Sequence, residues 1–131
     1  MKTLNKVNSK LSLQNITKES LIGTWIPTRY TIVYSDNSSY DYEYETTKKN
    51  QLVFNSDNSI KLINTNTGIE KPGVWTIIDD ALFISWGDIE SNEFLFELND
   101  HTLKKGSYFV NENPENEISR YMDFNSYERI A

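Results

Sequence analysis

Carboxylates are the residues of this sequence with the clearest capacity for chemistry, because a pair of them can act as general acid and general base. They stand close together at Asp79–Asp80 and in the alternating set Asp41, Glu43 and Glu45. Asp79 and Asp80 separate two apolar runs, as a tight turn does. The alternating set shares its stretch with tyrosines, which is typical of the wet face of a strand. We therefore expect structural roles for both groups.

The other catalytic residue types are sparse. His101 is the single histidine, it lies between Asp100 and Thr102 in a predicted turn, and the chain has no cysteine. A transition-metal site needs several such ligands, so we expect none. No Gly-x-Ser-x-Gly nucleophile motif and no glycine-rich phosphate loop occurs among the five glycines. The sequence predicts a protein that is not an enzyme and needs no cofactor.

Size and charge restrict the classes of partner. At 131 residues the chain is long enough for one domain with its own core. Its formal net charge of −6 disfavours nucleic acid, which requires clustered lysine and arginine. A basic protein or a small molecule remains. The N-terminal stretch has no unbroken apolar run for a signal peptide, and no window approaches the roughly 20 apolar residues of a membrane helix. We expect a soluble, cytoplasmic monomer.

Strands are the elements that must position any site. The stretch 21–34 is rich in β-branched and aromatic residues, and similar runs recur about every ten residues between clusters of Asn, Asp and Ser. This spacing predicts an all-β fold, an eight-stranded up-and-down antiparallel barrel, with no helix long enough for a crossover. We assign 1–14 to a flexible arm and 15–131 to one barrel domain that begins with a helical turn over 15–20. The predicted strands cover 21–34 with a bulge at Pro27, 40–54 with a bend at 46–50, 59–63, 74–78, 81–86, 92–98, 102–110, and 117–130 with an interruption near 125–126.

The connections between these strands alternate in length. In an up-and-down meander, successive connections lie at opposite ends of the barrel. The long loops therefore share one end, which we call the mouth, and the tight turns share the other, which we call the floor. The mouth is predicted to be acidic, with six carboxylates against Lys71. These carboxylates belong to Asp36, Glu70, Asp88, Glu90, Glu112 and Glu115.

The chain resembles the lipocalin-like, or calycin, β-barrels. The resemblance rests on Gly23-x-Trp25 at the start of the first strand after a helical turn, on the alternating loops, and on an arginine in the last strand. The segment 73–75, Gly-Val-Trp, is similar to the strand phrases of small bacterial lipocalin-like domains. The resemblance implies that Trp25 closes the floor and that Arg129, or as second choice Arg120, packs over it in a cation–π contact.

Aromatic residues recur at every second position of several strands and therefore share one face. The interior of an eight-stranded barrel is just wide enough to be filled by side chains or to hold one small ligand. A packed core is one interpretation. The other is a ligand cavity, in which aromatic side chains form the walls, tyrosine hydroxyls serve as polar handles and an arginine anchors a carboxylate. The candidate ligand-binding residues are Trp75, Trp86, Phe94, Phe96, Tyr42 and Arg29.

Two functional hypotheses follow from these patterns. The first is a non-catalytic binding protein that holds a small apolar molecule in its barrel. The second is an acidic immunity-type protein that binds and neutralises a basic toxin through its mouth loops, since charge complementarity speeds encounter and selects partners. The candidate partner-binding residues of the second hypothesis are Asp36, Asp88, Glu90, Glu112 and Glu115.

Overall fold

The computed structural model describes residues 18–45, 50–109 and 118–131. Within these ranges the chain forms one helical turn, α1, and nine strands. The predicted arm over 1–14 lies outside the described residues, as does the first part of the predicted helical turn. The elements are α1 (Lys18–Leu21), β1 (Gly23–Tyr34), β2 (Ser39–Glu43), β3 (Gln51–Phe54), β4 (Ser59–Ile63), β5 (Glu70–Ile78), β6 (Ala81–Ser85), β7 (Glu90–Leu98), β8 (Thr102–Tyr108) and β9 (Arg120–Arg129).

The strands close into the predicted antiparallel barrel. Each strand from β3 to β8 pairs with the next one along the chain. Strand β1 completes the ring because its first residues pair with β3 and its residues from Trp25 to Tyr34 pair with β9. The result is a closed eight-stranded barrel with β2 as an additional strand, which confirms the predicted fold class.

Strand β2 differs from the prediction. The sequence pattern predicts a half-buried strand continuous with β3, but all five residues of β2 are exposed. Among the described residues, β2 pairs only with β1. Its partner is the segment 29–33 of β1, which also pairs with β9. Because β9 occupies one edge of β1, strand β2 lies on the same edge of β1 as β3, and its tyrosines and acids are exposed.

Bulges interrupt the regular pairing between β1 and β9. The predicted bulge at Pro27 is confirmed, because the pairing with β9 shifts between Pro27 and Arg29. Proline has no N–H to donate to the ladder, so a regular pairing cannot pass through it. The predicted interruption near 125–126 is wrong, since β9 is continuous from Arg120 to Arg129. A second shift lies between Val33 and Tyr34, where Tyr121 of β9 is the extra residue.

The core fills the floor half of the barrel. The tight turns at 55–58, 79–80 and 99–101 lie at this end. Alternating residues of neighbouring strands point inward here, so that Trp75 lies opposite Ile84 and Ile77 opposite Leu82. The predicted face shared by these residues is confirmed. The buried core consists of Leu21, Trp25, Leu52, Phe54, Ile60, Trp75, Leu82, Ile84, Leu95 and Leu103.

Candidate ligand site

Trp25 closes the floor of the barrel. Its side chain is fully buried, and its indole Nε1 donates a hydrogen bond of 2.9 Å to the backbone oxygen of Leu21 in α1. A buried indole needs such an acceptor for its N–H. The helical turn is therefore fixed to the barrel by both packing and hydrogen bonding.

Arg129 lies over the Trp25 ring, in the arrangement that the lipocalin-like resemblance implies. Its guanidinium carbon is 4.3 Å from the ring centroid, within the range of a cation–π contact. The same guanidinium donates hydrogen bonds to the backbone oxygens of Ser20, Ile22 and Asp100. One side chain thus joins α1, the last strand and a floor turn.

Gly23 leaves the space that this guanidinium occupies. A Cβ atom at Gly23 would clash with Nη1 of Arg129 and would lie 2.6 Å from the backbone oxygen of Ala131. Its φ of +142° is also a conformation that other residues rarely adopt. The Gly-x-Trp spacing therefore has a physical reason, because the glycine admits the arginine that covers the tryptophan.

A cavity of about 310 Å³ lies on the mouth side of the packed core. Its volume is at the lower end of the range of small-molecule pockets. Leucine, isoleucine and tryptophan side chains contribute to its walls, together with a small polar group. The lining residues are Pro27, Asn50, Leu52, Leu62, Ile84, Trp86, Ser91, Glu93, Lys105 and Tyr127.

An ion pair forms the polar part of the cavity wall. The Lys105 Nζ atom lies 2.5 Å from Oε1 of Glu93 on the neighbouring strand. Only 9% of the lysine side chain and 23% of the glutamate side chain are exposed. The ammonium also lies 5.1 Å from the centroid of the Tyr127 ring. Such an enclosed pair is less screened by solvent than a pair on the outer surface.

The surroundings of Lys105 keep it protonated. Burial by itself lowers the pKa of its ammonium, but the interactions with Tyr127 and Glu93 outweigh burial and leave the pKa raised above the usual value. The lysine is therefore a charged hydrogen-bond donor inside the barrel at neutral pH. Its partner carboxylate supplies an acceptor beside it.

Trp86 forms an apolar wall of the cavity and is held by contacts with Gly73 and Lys71. A Cβ atom at Gly73 would lie 2.8 Å from Cε3 of Trp86, so the ring rests directly on the glycine backbone. The Lys71 Nζ atom lies 5.7 Å from the ring centroid and 3.7 Å from a carboxylate oxygen of Asp88. These contacts position the indole where the barrel wall meets the mouth loops.

The structure brings only some of the predicted ligand-binding residues to this cavity. Trp86 lines it, whereas Trp75 lies in the packed core, where its ring contacts Phe54 edge to face. Tyr42 is 48% exposed on β2. Arg29 is exposed, and its Nη2 atom lies 3.8 Å from Oε1 of Glu43 on β2. Its predicted role as an internal carboxylate anchor is therefore wrong.

The predicted inward orientation of Phe94 and Phe96 is also wrong. The pairing of β7 with β8 shifts between Leu95 and Glu97, so Phe96 is the extra residue of a bulge. Leu95 instead enters the core as a fully buried residue. Both phenylalanines contact the ring of Tyr108 at centroid distances of 5.1–5.2 Å, in an aromatic cluster on the outer face of the barrel.

Sequence reasoning missed Glu93, Lys105 and Tyr127. Two adjacent lysines, such as Lys104 and Lys105, are typical of a solvated strand, so different environments for the two were not predicted. Alternation from the buried Leu103 contained the signal, because Lys105 shares its face while Lys104 points outward. Glu93 shares the face of Leu95 by the same rule. The alternation of Phe94 and Phe96, however, favoured the opposite face of β7 as the inward one.

The described mouth carboxylates are partly neutralised by lysines. Oε1 of Glu70 lies 3.5 Å from Nζ of Lys61, and the carboxylate of Asp88 forms the ion pair with Lys71 described above. Asp36 and Glu90 are exposed, and hydrogen bonds from Ser38 lower the pKa of Asp36. The predicted partner residues Glu112 and Glu115 lie outside the described residues.

Comparisons with known proteins add no family to this description. Neither a scan against protein-family models nor a search of the curated proteins gives a match. Among the residues that the structure describes, no three His, Cys, Asp or Glu side chains are grouped as a metal site requires. Over the same residues, no helix has the length and apolarity needed to cross a membrane.

Proposed function

We propose that this chain is a non-catalytic binding protein of lipocalin-like form, which holds one small apolar molecule inside its barrel. The observation that carries the proposal is the cavity of about 310 Å³ between the packed core and the mouth. Its walls combine apolar side chains with a few convergent polar groups, which is the usual composition of a ligand pocket. The floor below it is closed by Trp25 and Arg129, in the form that the family resemblance implies.

The size of the cavity restricts the ligand. Since one water molecule occupies about 30 Å³ in the liquid, the cavity accommodates a molecule of roughly ten non-hydrogen atoms. A molecule of that size would contact Leu52, Leu62, Ile84 and Trp86 on its apolar side. The burial of this apolar surface would supply most of the affinity.

A titration with a small fluorophore tests the proposal. We expect 1-aminonaphthalene, which is uncharged at neutral pH and of about the required size, to bind saturably with one site per chain and a blue-shifted emission. Leu62→Trp fills the cavity and should abolish this binding. Ile78→Trp adds the same side chain at a position that is 56% exposed, and should leave binding unchanged. Absence of saturable binding to the wild-type protein, or equal binding by both variants, would reject the proposal.

Binding of a basic protein at the mouth is the second candidate function. It is favoured by the exposed carboxylates of Asp36, Asp88 and Glu90, which lie in or next to mouth loops. The contact between Asp88 and Lys71 weakens this support, because it neutralises part of the charge. We therefore place it after the small-molecule proposal.

Two triple variants that remove the same number of charges distinguish binding at the mouth from nonspecific attraction to an acidic protein. Asp36→Asn, Asp88→Asn and Glu90→Gln remove three charges at the mouth. The control replaces Asp57, Asp79 and Asp100 with asparagine and removes three charges from the floor turns. In pull-downs analysed by mass spectrometry, a specific basic partner should be retained by the wild type and the floor triple and lost by the mouth triple. A partner lost equally from both triples would contradict a mouth-specific interface.

A further inference from the structure

We infer that the cavity selects an uncharged apolar molecule whose polar end both donates and accepts hydrogen bonds, as a primary amide does, over a carboxylate or an ammonium of the same length. This inference rests on the proposed small-molecule binding and specifies its ligand class. It is carried by the Lys105–Glu93 pair on the cavity wall.

The two charges of this pair are already matched within the barrel. The Lys105 ammonium has three N–H donors, and the carboxylate of Glu93, at 2.5 Å, accepts from one of them. The carboxylate also keeps acceptor capacity, because each of its oxygens has two lone pairs. The wall thus presents a donor and an acceptor side by side with no net charge.

A charged ligand meets repulsion from one member of the pair. A carboxylate that approaches Lys105 comes close to the carboxylate of Glu93 in a site with little solvent screening. An ammonium that approaches Glu93 comes equally close to Lys105. Asn50 and Ser91, which also line the cavity, have uncharged side chains and compensate neither charge.

A primary amide satisfies both groups. Its carbonyl oxygen can accept a hydrogen bond from Lys105, and its NH₂ group can donate to Glu93. The apolar remainder of the molecule then contacts apolar lining residues such as Leu62 and Trp86. Replacing either member of the pair should therefore change which head group is preferred, rather than only how tightly any ligand binds.

Isothermal titration at pH 7 with octanamide, octanoate and octylammonium tests the selection, since the three share one chain length. We expect the wild-type protein to bind octanamide at least tenfold more tightly than either charged probe. Glu93→Gln leaves Lys105 with a neutral partner, so octanoate should gain at least tenfold relative to octanamide.

The chain offers a matched control on the same strands. Glu97 lies 3.5 Å from Lys104 on the outer face of the barrel. Glu97→Gln removes the same charge as Glu93→Gln from the same pair of strands, but from the outside. We expect it to leave the octanamide-to-octanoate ratio at its wild-type value.

A second variant covers failure of Glu93→Gln to fold. The double variant Glu93→Gln with Lys105→Met removes both charges together, so no unpaired charge remains in the barrel. We expect octanamide affinity to fall at least fivefold in this variant, with folding confirmed by circular dichroism. Unchanged octanamide binding would overturn the inference.

The outcomes separate head-group selection from small-molecule binding as such. Octanoate or octylammonium binding to the wild type as tightly as octanamide would overturn the head-group inference while leaving small-molecule binding intact. The head-group inference is also overturned if Glu97→Gln shifts the ratio as much as Glu93→Gln does. If none of the three probes and no 1-aminonaphthalene binds, small-molecule binding itself fails.

Discussion

The floor half and the mouth half of this barrel are built by different kinds of interaction. The floor half contains large apolar side chains such as Trp25, Phe54 and Leu103, which are at most 1% exposed, and Arg129 covers it. The mouth half is joined by polar pairs across strands. These pairs are Lys105–Glu93, Tyr30–Asp123 at 2.6 Å and Tyr44–Asn125 at 2.5 Å.

This difference indicates which half stabilises the fold and which half is available for recognition. Burying a large apolar side chain contributes about 1.5–3 kcal/mol, whereas a typical hydrogen bond contributes about 0.5–1.5 kcal/mol net, because water competes for the same groups. Substitutions in the mouth half should therefore alter binding while leaving most of the stability in place. Paired substitutions test this separation, beginning with the largest expected effect.

Replacing a tryptophan in each half gives the most direct comparison. Trp25→Ala should lower the free energy of unfolding by about 3 to 5 kcal/mol, because it creates a cavity in a packed floor. Trp86→Ala should cost less than half as much, since this ring is only partly buried beside an existing cavity. Urea denaturation of the two variants measures both values. Equal costs would show that the floor is not the more tightly packed half.

The arginine cover of the floor should have the next largest effect. Arg129→Met removes the cation–π contact and three hydrogen bonds to backbone oxygens, and should lower the free energy of unfolding by about 2 to 4 kcal/mol. Arg120→Met is the matched control, because Arg120 is exposed at the mouth end of the same strand. It should change stability by about 0.5 kcal/mol or less. A control that costs as much as Arg129→Met would contradict the assigned role.

The Tyr30–Asp123 pair predicts a smaller effect that depends on pH. The hydrogen bond to Asp123, together with burial, raises the pKa of Tyr30 to about 12, so the folded state favours the protonated hydroxyl. This contribution is fully present below the unfolded pKa of about 10 and is lost as the pH rises towards 12. Tyr30→Phe should therefore cost about 1 kcal/mol at pH 8.

Comparison with the wild type at higher pH isolates this group from others that titrate there. The stability difference between wild type and Tyr30→Phe should shrink between pH 10 and 12. Tyr40→Phe, at a position 53% exposed on β2, should show no such convergence. A Tyr30→Phe difference that stays constant across this range would contradict the link between the pair and stability.

The smallest effect is expected at the mouth loops. Glu90→Gln changes an exposed carboxylate, and should alter the free energy of unfolding by about 0.5 kcal/mol or less. If the mouth binds a basic protein, the same variant should weaken that complex, mainly through slower association at low salt. Thermal unfolding and surface plasmon resonance measure the two quantities. A large loss of stability would place Glu90 in the structural framework instead.

Much of the architecture was accessible from local sequence. Turn clusters and two-residue alternation predicted the strands and their antiparallel order, because these signals are set by neighbouring residues. The cavity was less accessible. Of the predicted ligand-binding residues, Trp86 lines it, while Phe94 and Phe96 were assigned inward by a regular alternation that a bulge interrupts.

The sequence by itself determined a meander of strands, tight turns at one end and long loops at the other, and a glycine–tryptophan start. Only the tertiary structure decided that Phe96 is the extra residue of a bulge, so that the outer aromatic cluster is separate from the cavity. The physical reason is that a bulge of one residue exchanges the two faces of a strand. Its position depends on pairing between strands, which the local pattern does not contain.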